Sequence, residues 1–323
     1  MTRNQHGSLN LLAWELVREW LEQPARWRIQ PSHAGGVLLV DCGISAAGGL
    51  ATGCRLAEIC LGGMGRVRSM APATAFGGGP TIVVETDHPL EACIGAQYAG
   101  WPIKFDDFFA MGSGPMRLRR GREAVLVEHQ LHEQEAWAVG VLESRQFPSE
   151  SVCQQIAAEC QVQLDHLCLL IAPVSSLAGT VQVVARSVET AIHKLHAIGF
   201  DIRQIRSAWG AAPLPPVAVN DLQGIGRTND AILYGAEVTC WVHADDDLLQ
   251  QLGPLAPSCS SRDYGRPFAE IFSAFDYDFY KIDPLLFSPA VVNFVNLRTG
   301  RCFRFGQTRP DLFGKSFGCE SAS

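Results

Sequence analysis

The chain has 323 residues, 47% of them hydrophobic and 18% charged, enough to bury about 75% of the unfolded surface in one or two compact domains. Its 26 Lys and Arg stand against 33 Asp and Glu, a formal net charge of -7, so no global positive field exists to hold a polyphosphate backbone and nucleic acid is not an expected partner. Glu15, Arg18 and Glu19 interrupt the apolar run at 9–21, which excludes a membrane span or secretory signal there, and 11 cysteines without a Cys-x-x-Cys pair fit a reduced, cytoplasmic protein that buries its thiols.

In chain order, Ser8 can cap a helix in which Leu11, Leu12, Leu16, Val17 and Trp20 recur at helical spacing, with Glu15, Arg18, Glu19 and Glu22 on the other face. Residues 36–40 read as a fully buried strand, and 41–49 as a glycine-rich turn into a second helical stretch at 50–61. Strand, glycine turn and helix in that order are the grammar of an α/β layer. Further strands are predicted at 81–85, 124–128, 136–142, 167–172, 181–185, 231–234 and 238–242, and helices at 90–98, 150–160 and 188–198. The strands at 291–297 and 302–305 flank Arg298-Thr299-Gly300-Arg301, a hairpin signal. The expected fold class is therefore α/β with mixed sheets. Ala212-Pro213-Leu214-Pro215-Pro216 reads as a stiff connector. The polar break near 147–150 suggests an approximate division into an N-terminal lobe, 1–160, and a C-terminal lobe, 161–323.

The turn at 41–49 can offer amides to an anion. It lacks both G-x-G-x-x-G and the Lys-Ser/Thr of a P-loop, so a tight turn is the plainer reading. A second glycine loop, Met111-Gly112-Ser113-Gly114-Pro115-Met116-Arg117, follows Phe105, Phe108 and Phe109; it suits either an ordinary turn or a backbone that approaches a flat ligand. Gly226-Arg227-Thr228-Asn229-Asp230 reads equally as donors and acceptors for a heterocycle edge or as Asx-turn chemistry. His193 and His196 lack zinc-helix spacing, and no G-x-S-x-G elbow is present. Neither zinc hydrolysis nor a serine hydrolase is expected, and no residue is assigned to a metal.

Chemistry is better served by residues 182–190. Arg186 and Glu189 are three apart and project from neighbouring positions if Arg186 begins a helix after a buried strand. Burial raises the proton affinity of a carboxylate and a neighbouring guanidinium lowers it, which is one way to build a general base. By spacing alone, a structural ion pair is the plainer reading.

Several ordered blocks together carry a family resemblance. They are Ala92-Cys93 with Gln97-Tyr98-Ala99-Gly100-Trp101, Phe109 to Pro115, Gln182 to Thr190 with His193-Lys194-Leu195, Ala212 to Pro216, and Gly226 to Asp230 with Tyr234-Gly235. Asp278-Phe279-Tyr280-Lys281-Ile282-Asp283 and Phe287-Ser288-Pro289-Ala290 complete the set. With these blocks the chain resembles the methenyltetrahydromethanopterin cyclohydrolases from about residue 8 to residue 318.

The resemblance implies two similar α/β lobes enclosing a pterin pocket, a homo-oligomer that is trimeric in related proteins, and no metal or dissociable cofactor. It implies reversible hydrolysis of 5,10-methenyl-tetrahydromethanopterin to the 5-formyl derivative, within the one-carbon metabolism of methanogens or of bacteria that oxidise formaldehyde. It places the family's catalytic arginine and glutamate on Arg186 and Glu189. Substrate contacts are expected from Ser8, Asn10, Gln97, Tyr98 and the Gly112-Ser113-Gly114 turn. One departure is Val174, in Ala172-Pro173-Val174-Ser175-Ser176, where the family pattern leads one to expect Thr. Two alternatives stay open: a cyclohydrolase acting on another folate-like carrier, and a non-catalytic pterin-binding protein in which Arg186 and Glu189 form only a salt bridge.

Overall fold

The structure is a computed structural model that describes residues 7–71 and 80–318. Its strands are β1 (Gln30–Ala34), β2 (Val37–Asp41), β3 (Arg66–Met70), β4 (Thr81–Thr86), β5 (Trp101–Phe105) and β6 (Phe108–Ser113), followed by β7 (Ala138–Glu143), β8 (Leu167–Ile171), β9 (Ile205–Pro213), β10 (Glu237–Val242), β11 (Val291–Asn296) and β12 (Cys302–Gly306). They form two six-stranded sheets, in the orders β1-β2-β8-β7-β6-β5 and β12-β11-β10-β9-β4-β3. Both are mixed, as the terminal hairpin led us to expect. In the first, β2, β8 and β7 run parallel while β1, β6 and β5 pair antiparallel. In the second, β10 and β11 are parallel, and β9 pairs antiparallel with β10 and β4.

The chain divides into two compact units, each with one sheet. One comprises the described residues up to Arg66 with Glu91–Gln182; the other comprises those within Val67–Leu90 and from Val183 onward. This division differs from a single cut after residue 160. The 67–90 excursion supplies β4 to the second sheet, and 161–182 supplies β8, which lies between β2 and β7 at the centre of the first. The polar break near 147–150 is only the approach to the helix Glu150–Cys160, which Ser149 caps.

Alternation along β8 explains the layering of the first unit. Leu167, Leu169 and Ile171 pack with Val37, Leu39, Val152 and Ile156, while Cys168 and Leu170 pack with Val40, Val139, Val17, Leu56 and Ile59. Successive strand side chains point to opposite faces. β8 is therefore covered on one face by the helix Glu150–Cys160 and on the other by Leu9–Leu21 and Leu50–Cys60, which is why all five of its residues are buried. In the second sheet β10 buries Val238, Cys240 and Val242 and leaves Glu237, Thr239 and Trp241 half-buried. The helices Ser187–Ala197 and Asp221–Gly235 pack on β9. On the half-buried residues, Glu237 accepts from Asn293 Nδ2 at 2.9 Å and from Arg304 Nη2 at 3.2 Å, and Arg304 holds its carboxyl below the usual carboxylate range.

Three expected strands are helical instead: 124–128 forms Ala124–Glu128, 181–185 falls largely in Leu177–Val184, and 231–234 lies within Asp221–Gly235. Short apolar runs fit either period, and the deciding groups lie upstream. Asn220 Oδ1 accepts from Gln223 N–H at 2.9 Å, and Ser176 Oγ from Gly179 N–H at 3.0 Å. The expected helix at 90–98 is a π-helix, Leu90–Gln97, with Tyr98 N–H donating to Cys93 O at 2.8 Å. Strands β1, β3, β5, β6 and β9 were not signalled, because β1 and β3 are mostly exposed and polar and Pro or Gly interrupts the other runs.

Candidate active site

Arg186 and Glu189 sit where two helices meet, not where a strand enters one. The helix Leu177–Val184 ends, Ala185 and Arg186 turn, and Ser187–Ala197 begins with Arg186 as its N-cap at φ -83° and ψ 5°. Arg186 O accepts from both Thr190 N–H, at 2.8 Å, and Thr190 Oγ1–H, at 2.7 Å, which fixes the peptide at the break. Glu189 occupies the first helical turn, where the amide ends of the helix favour an anion. Arg186 Nη1 lies 3.9 Å from Glu189 Oε2, and the two side chains are 7% and 8% exposed. That separation gives a strong Coulomb interaction in a poorly solvated site and exceeds hydrogen-bond length. A carboxylate so placed can exchange a proton with a bound water, while the guanidinium presents fixed donors to a developing oxygen charge.

Further along the same helix, the buried Lys194 donates from Nζ to Ser260 Oγ at 3.0 Å and to the Leu285 carbonyl. Burial pulls its ammonium down to about 8. Glu189 thus belongs to a helix tied at its start through Thr190 and in its last turn through Lys194. Rigid support of this kind is what a reacting carboxylate needs.

The first unit carries the other expected site residues. The π-helix places Gln97 and Tyr98 at its C-terminal end, and Gly114 N–H donates to Ala96 O at 2.9 Å, joining that end to the glycine turn. Cys60 Sγ lies 3.3 Å from Ser113 Oγ and 4.0 Å from Gln97 O, and Gln182 Nε2 approaches Cys60 Sγ to 3.7 Å. Gln97 and Ser113 are therefore brought together around Cys60, which the sequence marks only as one of the cysteines in apolar runs expected to be buried. The expected loop at 111–117 is the end of β6, a turn with Gly114 at φ +88°, and the start of a short helix, Met116–Arg120. A Cβ there would lie 3.1 Å from Val139 O and 3.3 Å from Val141 N, so close packing on β7 and the backbone angle both favour glycine.

Ser8 and Asn10 stand at the start of Leu9–Leu21, and both bond to groups of the protein itself. The Glu133 carboxylate accepts from Ser8 Oγ at 3.0 Å, Leu9 N–H at 2.6 Å, Asn10 N–H at 3.2 Å and Asn10 Nδ2 at 2.7 Å. Asn10 Nδ2 also donates to Pro115 O at 2.9 Å, and its Oδ1 accepts from Val139 N–H at 3.0 Å. Asn10 thereby supports the residue that follows Gly114. Val174 is buried, and its carbonyl accepts from Thr180 Oγ1 at 2.9 Å, while Ser175 Oγ accepts from Arg145 Nη2 at 2.7 Å.

Two motifs are absorbed by structure. Asp41 accepts from the amides of Gly43, Ile44, Ser45 and Ala46 at 2.7–2.9 Å, so the chain's own carboxylate fills the anion cradle of the 41–49 turn. Residues 226–230 lie inside Asp221–Gly235, where Thr228 Oγ1 and Asn229 Nδ2 donate to Gly224 O and Ile225 O, both at 2.9 Å. Sequence reasoning missed Arg117, which is fully buried and whose Nη1 donates to Ile94 O, Gly95 O and Ala96 O at 2.9, 3.2 and 3.3 Å. The sequence offered no way to single it out, since it is the first of four arginines between 117 and 122.

Comparison with known proteins places these groups in a family. The family model described as Cyclohydrolase (MCH) matches residues 8–317. A protein of Rhodopirellula baltica named methenyltetrahydromethanopterin cyclohydrolase is 51% identical over 297 residues, covering 90% of this chain and 89% of the relative. Relatives of the same name from Xanthobacter autotrophicus and Methanocaldococcus jannaschii are 47% and 38% identical; the alignments cover 87% and 96% of this chain, and 83% and 98% of those proteins. With a match across nearly its whole length and relatives of this identity, the chain belongs to the cyclohydrolase (MCH) family.

Proposed function

We propose that this protein catalyses the reversible hydrolysis of 5,10-methenyl-tetrahydromethanopterin to 5-formyl-tetrahydromethanopterin, as a step of one-carbon metabolism in formaldehyde oxidation or methanogenesis. The observation that carries the reading is the buried Arg186-Glu189 pair at the helix break, on a chain whose relatives bear the name of that cyclohydrolase. In the forward direction Glu189 takes a proton from water as the water oxygen bonds to the cationic amidinium carbon. The adduct is a tetrahedral carbon bearing hydroxyl, hydrogen and both nitrogens. Its bond to the aniline-type nitrogen then breaks with the electron pair going to that nitrogen, which receives a proton from Glu189. The hydroxyl proton leaves to solvent as the formyl C=O forms on the other nitrogen. Arg186 orients the water and stabilises the developing oxygen charge.

Gln97, Tyr98 and the Gly112-Ser113-Gly114 turn supply the pterin-binding part of the proposal, with Ser8 and Asn10 supporting that turn through Glu133 and Pro115. A homotrimer in the cytoplasm is part of the same reading, and sedimentation of the purified protein measures its assembly.

The deciding experiment mixes chelator-treated protein with 5,10-methenyl-tetrahydromethanopterin and follows loss of the amidinium absorbance. Rapid loss is expected, and Glu189→Gln should slow it about 10²–10⁴-fold, the usual share of a general acid/base, with an unfolding midpoint near that of the parent. Binding without loss in the parent would overturn the reaction, and parent-like turnover in folded Glu189→Gln would overturn the role of Glu189.

A further inference from the structure

The C-terminal carbonyls of a helix need partners. At the end of the π-helix Leu90–Gln97 one guanidinium supplies them, since Arg117 Nη1 reaches Ile94 O, Gly95 O and Ala96 O at 2.9, 3.2 and 3.3 Å. The other edge of the same guanidinium is held by Glu123, with Nε at 2.9 and 3.1 Å from its two carboxylate oxygens and Nη2 also donating to Oε2. Its plane lies against the Tyr98 ring, with Cζ 5.0 Å from the centroid, a cation–π distance.

Gly100 completes the packing. A Cβ at that position would lie 2.2 Å from Glu123 Oε2 and 2.7 and 2.8 Å from two carbons of the Tyr98 ring. Three consecutive carbonyls, an aromatic face and a glycine-permitted carboxylate therefore converge on one fully buried side chain.

A buried ion pair is a poor way to gain stability, because desolvation consumes most of the Coulomb attraction. It is an effective way to fix geometry, since a planar five-donor fork accepts only one arrangement of its acceptors. π-helical turns are rare and concentrate at functional sites, and this one ends on Gln97 and Tyr98. We propose that Arg117 is a positioning residue for the cyclohydrolase reaction, holding the end of the π-helix so that Gln97 and Tyr98 meet the pterin in one orientation. The inference rests on the reading of Gln97 and Tyr98 as substrate-binding.

The test is steady-state kinetics with 5,10-methenyl-tetrahydromethanopterin on the full chain. Arg117→Met combined with Glu123→Gln removes both charges together and leaves neither buried alone. It should raise KM about tenfold or more with a much smaller change in kcat, as displacement of a binding segment would. Arg117→Lys, which keeps the charge and loses the fork, should fold and still show the raised KM. Adding Gln97→Ala to the double variant should raise KM by less than the product of the separate effects, because both disturb one contact. If Gln97→Ala raises KM while the double variant has the parent's KM, or if the effects multiply in full, Arg117 is structural and the proposal fails. A parent-like KM in Gln97→Ala also overturns it, by removing the segment from the binding site, yet leaves the cyclohydrolase assignment standing. Only absence of turnover in the parent protein sinks both. Should the double variant not fold, Gly100→Ala disturbs the same packing with both charges kept, and the same KM criterion decides.

Discussion

Lys194 shows how a single side chain of the site helix leaves a thermodynamic trace. Burial lowers its ammonium from 10.5 to about 8, against the opposing pull of Asp283 and Cys259. The unfolded chain therefore binds more protons than the folded one between about pH 8 and 10.5, and stability contributed by this residue rises with pH across that window. Below pH 8 the cost of burying the charge is fully present. Denaturant midpoints of the parent and Lys194→Met should diverge in the parent's favour from pH 7.5 to 10, on the order of 1 kcal/mol; parallel midpoints at both pH values would refute this account. Arg186 and Glu189 were legible in the sequence because an i, i+3 offset survives any helical context. Their setting was not, since Val181, Val183 and Val184 have strand-like chemistry and lie in a helix. Ser8 and Asn10 were expected as substrate contacts at the first helix, whereas their partner Glu133, which no local pattern points to, lies more than a hundred residues away in the chain.

At the scale of elements, the helix Asp221–Gly235 holds the start of another, Phe268–Ala274, through one carboxylate. Asp230 Oδ1 accepts from Phe268 N–H at 2.8 Å. Burial raises this carboxyl to about 7, with Glu270 adding to the rise and Ser316 and the Phe268 amide opposing it. Between pH 3.8 and about 7 the folded state holds the proton that the unfolded chain has lost, so stability from this group falls as pH rises through that window and the deficit is complete above it. Asp230→Asn keeps the accepting oxygen and cannot ionise. Its thermal midpoint should equal the parent's near pH 4 and exceed it by several degrees at pH 8. An equal gap at both pH values would show that the Asp230 charge is not what limits the joint. Elements with a cap in the sequence, such as Leu9–Leu21 after Ser8 and Glu150–Cys160 after Ser149, were readable almost to the residue. A helix at 90–98 was expected, but its π form over Leu90–Gln97 had no comparable sign; its last carbonyls are bonded by Arg117, twenty or more positions downstream.

For the whole molecule, composition and the terminal hairpin disclosed an α/β chain with mixed sheets, but the limits of its units depend on which strands choose one another. β8 joins β2 and β7, and β4 joins β9; neither choice is written in local propensity. The strands also differ in depth from the centre of a sheet to its edge. β8 and its parallel neighbours are buried on both faces, whereas β12 alternates exposed with half-buried residues and β1 is exposed over its first four residues. Local opening is cheapest where few apolar contacts must be broken. Amides at 168–171, 139–141 and 39–40 should therefore exchange with deuterium last, close to the global unfolding limit. Those of β1 and β12 that face away from their one paired neighbour should exchange orders of magnitude sooner. Peptide-resolved exchange at constant pH measures both sets in one experiment. Equal protection of β12 and β8 would mean that burial on both faces does not set the order in which this molecule opens.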